Sequence, residues 1–294
     1  MLKKKKINSL CLGSANFGFN YGINKKEAIN NKDLKKLLNY AGKNNISFID
    51  TAINYKNSEK KIGIFNKYNF KIVTKLPLIP KKIVNVENWI INKIQESCYK
   101  LKTKSLYGLL IHDTKELRNK KRSKKIYQAF DYLLKKKIVK KIGLSVYDPI
   151  ELDLFFKEYN YQIIQIPINI FDRRLISSGW GKKLFKKDVE IFARSIFLKG
   201  LLLRDADKIP KEFSRWNKKF INFEKFVKKK KINKVEACIR FVKSFKEVKK
   251  IILGVNNAEQ LKENMIFSNK NKILFPTNLN INSGKILDPR KWKI

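Results

Sequence analysis

Short runs of β-branched and aliphatic residues alternate with amphipathic stretches along almost the whole chain. Residues 7–13, 47–50, 70–75, 106–111, 141–146, 163–167, 189–195 and 251–254 read as strands. Most of these runs are mainly apolar, as expected for strands buried on both faces. Helical periods lie between them. Leu34, Leu37, Leu38 and Ala41 recur at i, i+3, i+4 and i+7 within 33–42, and Val86, Ile90, Ile94, Cys98 and Leu101 form one stripe over 86–101. Further helices are predicted at 58–65, 123–134, 182–187, 218–230, 234–244 and 258–267. One more opens at Asp148-Pro149, with proline in the first helical position. Repeated strand–helix units imply a parallel sheet covered by helices. About eight of them fit an α/β fold closed into a single (β/α)8 TIM barrel, which takes roughly 250 residues. No Gly-, Ser- or Pro-rich linker divides the 294 residues, so one domain, 1–294, is expected. No GxGxxG follows the first strand, which argues against a doubly wound dinucleotide fold.

Apolar residues make up 43% of the chain, enough for a large core and too many for disorder. Lys+Arg number 67 against Asp+Glu 25, a formal charge of +42. Such a charge raises nucleic acid as a partner. The lysines, however, are spread along the chain, and the runs Lys3 to Lys6 and Lys228 to Lys231 suit a terminus and a solvated helix end. Joint richness in Lys, Asn, Ile and Phe is what AT-biased codons supply. The expectation is no specific nucleic acid, and a field that attracts small anions. No apolar run nears the ~18 residues of a membrane span. The segment after the N-terminal lysines is too short and too polar for a signal core. Cys11, Cys98 and Cys238 have no paired or metal-ligand spacing, so no metal site and a reducing, cytoplasmic setting are expected.

In a parallel βα barrel the functional mouth lies at the C-terminal ends of the strands. The polar residues there are Asp50, with Tyr55 just beyond, then Lys75, the single histidine His112, Ser145, Gln165, Ser195 and Asn256. Singly, each has an ordinary explanation: a helix cap, a rim charge, a hydrogen-bonded structural histidine. Together, Asp, Tyr, Lys and His on consecutive strand ends are chemically coherent. The acid can pair the lysine, and a lysine cation can lower the pKa of a phenol.

These segments resemble the aldo/keto reductase family over nearly the whole chain. Leu12-Gly13-Ser14-Ala15-Asn16-Phe17-Gly18, with Tyr21-Gly22-Ile23, is similar to the family's first strand and loop. Phe48-Ile49-Asp50-Thr51-Ala52-Ile53-Asn54-Tyr55, followed by Ser58-Glu59-Lys60-Lys61-Ile62-Gly63, resembles its signature for the catalytic Asp and Tyr. Val73-Thr74-Lys75 and Leu109-Leu110-Ile111-His112-Asp113 resemble the lysine and histidine strands. Asp50, Tyr55, Lys75 and His112 are thereby the implied catalytic residues. Ser14, Ala15, Asn16, Ser145, Gln165, Arg194, Ser195, Phe197, Leu198, Gly200, Gly254, Asn256, Gln260, Glu263 and Asn264 are the implied cofactor contacts. The chain departs from the pattern at Val146, where the family usually has Asn, and at Arg194, where many members carry an aromatic residue. Neither Asn256 nor Gln260 supplies the basic group found near there in many NADP-preferring members. Asn257 and Gln260 also read as a helix capping box, a role compatible with holding phosphate on free N–H groups.

The resemblance implies hydride transfer between a nicotinamide cofactor, NADPH with NADH as the alternative, and a small-molecule carbonyl. Tyr55 would donate the proton, Lys75 would tune it, Asp50 would hold Lys75, and His112 would bind the substrate oxygen. Loops 16–24, 77–82 and 170–180 are expected to set substrate choice, with Tyr21, Phe171 and Trp180 as candidate walls. Tyr21-Gly22-Ile23 together with Arg194-Ser195-Ile196-Phe197 is similar to a bacterial subgroup associated with sugar and surface-glycan metabolism, which makes the expected carbonyl carbohydrate-like. Two other classes stay open at this point: a cofactor-binding regulatory subunit of the same fold with little turnover, and a charge-driven binder of anions or nucleic acid.

Overall fold

The computed structural model describes residues 8–20, 22–23 and 27–293. Eight strands follow one another: β1 Leu10–Gly13, β2 Phe48–Asp50, β3 Lys71–Leu76, β4 Gly108–Ile111, β5 Ile142–Ser145, β6 Ile163–Pro167, β7 Glu190–Arg194 and β8 Val248–Gly254. Each pairs in parallel with the next, and β1 closes on β8, with Leu10 opposite Ile251 and Gly13 opposite Gly254. The barrel expected from the strand–helix rhythm is the observed fold.

Continuous apolar strands give two separate cores. Cys11, Phe48, Val73, Leu110, Ile163, Phe192 and Ile252 fill the barrel interior. Their neighbours along the strands, such as Leu10, Leu12, Ile49, Ile72 and Leu109, point outward against the helices. Alternation is present after all, but both faces are apolar because both are buried. The helix Asn31–Lys43 buries Leu34, Leu37, Leu38 and Ala41, and Val86–Leu101 buries Val86, Ile90, Ile94, Cys98 and Leu101. Asparagine side chains at 30, 85, 119, 233 and 257 each accept a backbone N–H in the first turn of a helix. The asparagine-rich composition therefore supplies N-caps.

One local expectation needs correction. Pro149 stands at the N-cap of the helix Ile150–Phe155 rather than inside it. Its ring already fixes helical dihedrals there, so the boundary moves by one residue. The stretch 198–216, which shows no helical period, winds into three 3₁₀ turns. Lys228 to Lys231 lie exposed at the end of Asn217–Lys229, where their charge complements the helix dipole. Lys3 to Lys6 fall outside the described residues. Among the described residues, no helix is long and apolar enough to cross a membrane.

Candidate active site

The C-terminal ends of the strands open onto one cavity of about 540 Å³, and Asp50, Tyr55, Lys75 and His112 all line it. Lys75 Nζ donates to both Asp50 oxygens at 2.8 Å and to the Thr51 carbonyl at 2.7 Å. All three ammonium protons are thus used. The two side chains are 1% and 6% exposed. Gln165 Nε2 adds a 2.7 Å bond to Asp50 Oδ1. A buried ion pair is tolerable only when its remaining polar positions are satisfied in this way. Behind Lys75, the buried Glu59 accepts from Thr74 Oγ1 and Ser97 Oγ, both at 2.7 Å. These bonds tie the helix Ser58–Phe65 to β3 and to the helix Val86–Leu101. Burial raises the Glu59 carboxyl above its ordinary range.

Tyr55 sits in the loop after β2. Its N–H donates to Ala52 O and its carbonyl accepts from Ser58 N, both at 2.9 Å. The next residue, Lys56, has φ +46. A Cβ on Gly18 would stand 2.0 Å from the Tyr55 carbonyl, so only glycine lets the first loop pack against the tyrosine loop. The Tyr55 ring is 6.0 Å from that of His112, edge to face. Lys75 Nζ lies 5.3 Å from the Tyr55 ring centroid.

The electrostatics differ from the expected tuning. Burial, the Asp50 carboxylate and Tyr147 push the Tyr55 phenol well above its ordinary value, and Arg194 is the charge that opposes them. Lys75 is matched at contact distance by Asp50, so it does not act on the phenol as an isolated cation would. The phenol is accordingly held protonated. His112 moves the other way, from 6.5 to about 3, through burial and the cations Lys75, Arg194 and Arg290. The imidazole is neutral at neutral pH.

Of the implied cofactor contacts, Ser14, Ala15, Asn16, Ser145, Gln165, Arg194, Ser195, Phe197, Gly200, Gly254, Asn256, Gln260, Glu263 and Asn264 line the same cavity. Leu198 does not: its side chain is fully buried in the hydrophobic core. Phe171 packs on Phe220 and Phe223, and Trp180 packs on Phe156 and donates to Asp153. Neither is a cavity wall. Tyr21 lies outside the described residues. The capping box forms with a shift: Gln260 N donates to Asn257 Oδ1 at 2.8 Å, and Gln260 Oε1 accepts from Asn256 N at 2.9 Å.

Among the described residues that line the cavity, one buried side-chain acceptor has no hydrogen-bond partner, which suits a ligand with a donor group. Asn16 Nδ2 donates to Val255 O at 2.7 Å and Asn256 Oδ1 at 2.8 Å, while its buried Oδ1 has no partner. Gln165 spends one amide N–H on Asp50, and Ser145, its backbone partner across β5 and β6, lines the same cavity. A buried acceptor without a donor costs stability unless a ligand completes it. The loop after β7 carries Ser195, Leu198 and Lys199 at φ +55, +48 and +53. Left-handed non-glycine residues clustered in one loop store strain of the kind found at ligand clamps.

Tyr147 and Arg290 also line the cavity, and the motif reading assigned no role to either. Tyr147 is legible as the residue two beyond Ser145 at a strand end. Arg290 lies in a C-terminal segment with no period to place it.

The aldo/keto reductase family model matches residues 9–273. A search of curated proteins finds no match to the chain. Among solved structures, the chain is similar to the aldo-keto reductase AKR11C1 from Bacillus halodurans in its holo form, with 16% identity, TM-score 0.73, and 91% of this chain and 89% of that one covered. It is also similar to the glycerol dehydrogenase AKR11B4 from Gluconobacter oxydans, with 18% identity, TM-score 0.69, and 92% and 89% covered. At these identities the neighbours speak to the fold, while the family match spans all eight strands and the four candidate residues at their ends. The chain belongs to the aldo/keto reductase family of oxidoreductases.

Proposed function

We propose that the chain reduces an aldehyde or ketone to an alcohol with a nicotinamide dinucleotide, NADPH in preference to NADH, using Tyr55 as proton donor. The observation that carries this reading is that Tyr55 and His112 line one cavity beside the buried Asp50–Lys75 pair; burial favours the neutral form of both side chains. The dinucleotide, when bound, supplies the hydride. Ser145, Gln165 and Asn16 would hold its amide and hydroxyl groups, and the helix start after Asn257 would hold phosphate on its N–H groups. As negative charge grows on the substrate oxygen, Tyr55 gives it a proton and His112 donates a hydrogen bond to it. The Asp50–Lys75 pair keeps the floor of the site rigid. Fluorescence titration with NADPH and NADH, then a carbonyl panel, tests the reading. Tight cofactor binding with no turnover on any carbonyl would favour a regulatory subunit.

Two expected results follow from these residues. Between about pH 3 and 6.5 the unfolded chain protonates His112 while the folded chain does not. Stability from this group is therefore full above 6.5 and is lost as pH falls through that window. His112→Asn should flatten the fall in Tm between pH 7 and pH 4. An unchanged fall would mean that His112 titrates normally in the folded protein.

Gln260→Arg should tighten NADPH by about tenfold through a charge-assisted bond and leave NADH within a few-fold. The replacement gives up the Gln260–Asn256 cap bond, so a small drop in Tm should accompany it. Dissociation constants for both dinucleotides at low and high salt decide the matter. Tighter NADH than NADPH binding by the unmodified chain would reverse the cofactor preference.

A further inference from the structure

Tyr147 carries a guanidinium on each side. The Arg194 carbon is 3.8 Å from its ring centroid and the Arg290 carbon 3.5 Å. Two such groups cannot share one face at these distances without clashing, so the ring is sandwiched. All three residues line the cavity that holds Tyr55 and His112.

The two arginines differ in what balances them. Arg290 is paired with Asp288 through Nε at 3.0 Å and Nη2 at 2.8 Å, and Asp113 stands 3.8 Å from its third nitrogen. Arg194 donates only to neutral acceptors, the Val146 carbonyl at 2.9 Å and Ser195 Oγ at 3.2 Å. It forms no ion pair among the described residues. A guanidinium has five N–H donors, so most of its fork is left for a ligand. The stack on Tyr147 and the two bonds hold it in place, so little entropy is lost when a partner docks. Asp50 and Lys75 neutralise each other, which leaves Arg194 as an unbalanced cation next to the reacting groups. A neutral substrate would leave it unbalanced, whereas an oxyanion would complete it with a bidentate bond.

We propose that Arg194, supported across Tyr147 by Arg290, docks an acidic oxygen group of the substrate, so that the carbonyl compound reduced here is a carboxylate or a phosphate. This rests on the carbonyl-reducing reading above.

The test compares matched pairs: pyruvate with methyl pyruvate, and dihydroxyacetone phosphate with dihydroxyacetone. For the unmodified chain, kcat/KM should favour the charged member of at least one pair by about tenfold or more. Which pair shows it separates carboxylate from phosphate. In Arg194→Gln the preference should collapse by about tenfold, and Arg194→Lys should restore part of it. Equal rates on charged and neutral members, or equal losses on both in Arg194→Gln, would overturn the proposal. So would a weaker NADPH Kd in that variant with the charged-to-neutral ratio intact, because Arg194 would then serve the cofactor. Calorimetric titration of the NADPH-loaded protein with oxamate, oxamide and inorganic phosphate needs no turnover. Oxamate or phosphate binding that is lost in Arg194→Gln supports the subsite even if every carbonyl fails as substrate, and no binding of either by the unmodified chain overturns it. The unmodified chain carries both comparisons even if the glutamine variant does not fold.

Discussion

Tyr55→Phe is expected to lower carbonyl reduction by about 10²–10⁴-fold, the usual worth of a positioned general acid. NADPH titration of the same variant should still show binding. The reason is geometric and electrostatic together. The phenol is the protonated group that faces the cavity beside His112, and burial with Asp50 keeps its proton in place until charge develops on the substrate. Phenylalanine keeps the ring against Phe19 and His112 and removes only the donor. Turnover near that of the unmodified chain would assign the proton to another group, and His112 would be the next candidate.

Lys75→Met is the second large effect, and it should appear first in stability. The substitution leaves Asp50 buried with Gln165 as its one remaining side-chain donor. Removing one partner of a buried pair typically costs about 3–5 kcal/mol, because the other charge is left uncompensated. Urea unfolding should show this as a marked fall in midpoint. The double variant Asp50→Asn with Lys75→Met should recover part of the loss, since the amide keeps a polar partner for Gln165 without a buried charge. A double variant no more stable than Lys75→Met alone would show that the stranded carboxylate is not the source of the cost. Reduction should be lost in both variants, because the floor beneath Tyr55 is built from this pair.

The barrel was legible in the sequence because its cause is repetitive. The strands from Leu10–Gly13 to Val248–Gly254 are mainly apolar runs alternating with amphipathic helices, and a buried parallel sheet needs that pattern. Asp50, Tyr55, Lys75 and His112 were legible because the fold puts strand ends around one mouth, whatever their separation along the chain. Leu198, Phe171 and Trp180 misled because motif similarity and loop position say nothing of where a side chain points. Each of them turned toward the core, where apolar area leaves water.

The sequence by itself determined the fold, the family and the four polar residues at the strand ends, since each depends on local period or on short contiguous motifs. Tertiary structure alone decided the charge states and the far wall of the cavity. The Tyr55 phenol is raised rather than lowered because burial and the Asp50 carboxylate disfavour its charged form, while Lys75 spends all three protons on Asp50 and Thr51. Arg290 reaches Tyr147 from a C-terminal segment without periodicity, and Arg194 comes to the same ring from β7. Electrostatic effects depend on distance and burial in three dimensions, and neither is encoded in the spacing of residues along a chain.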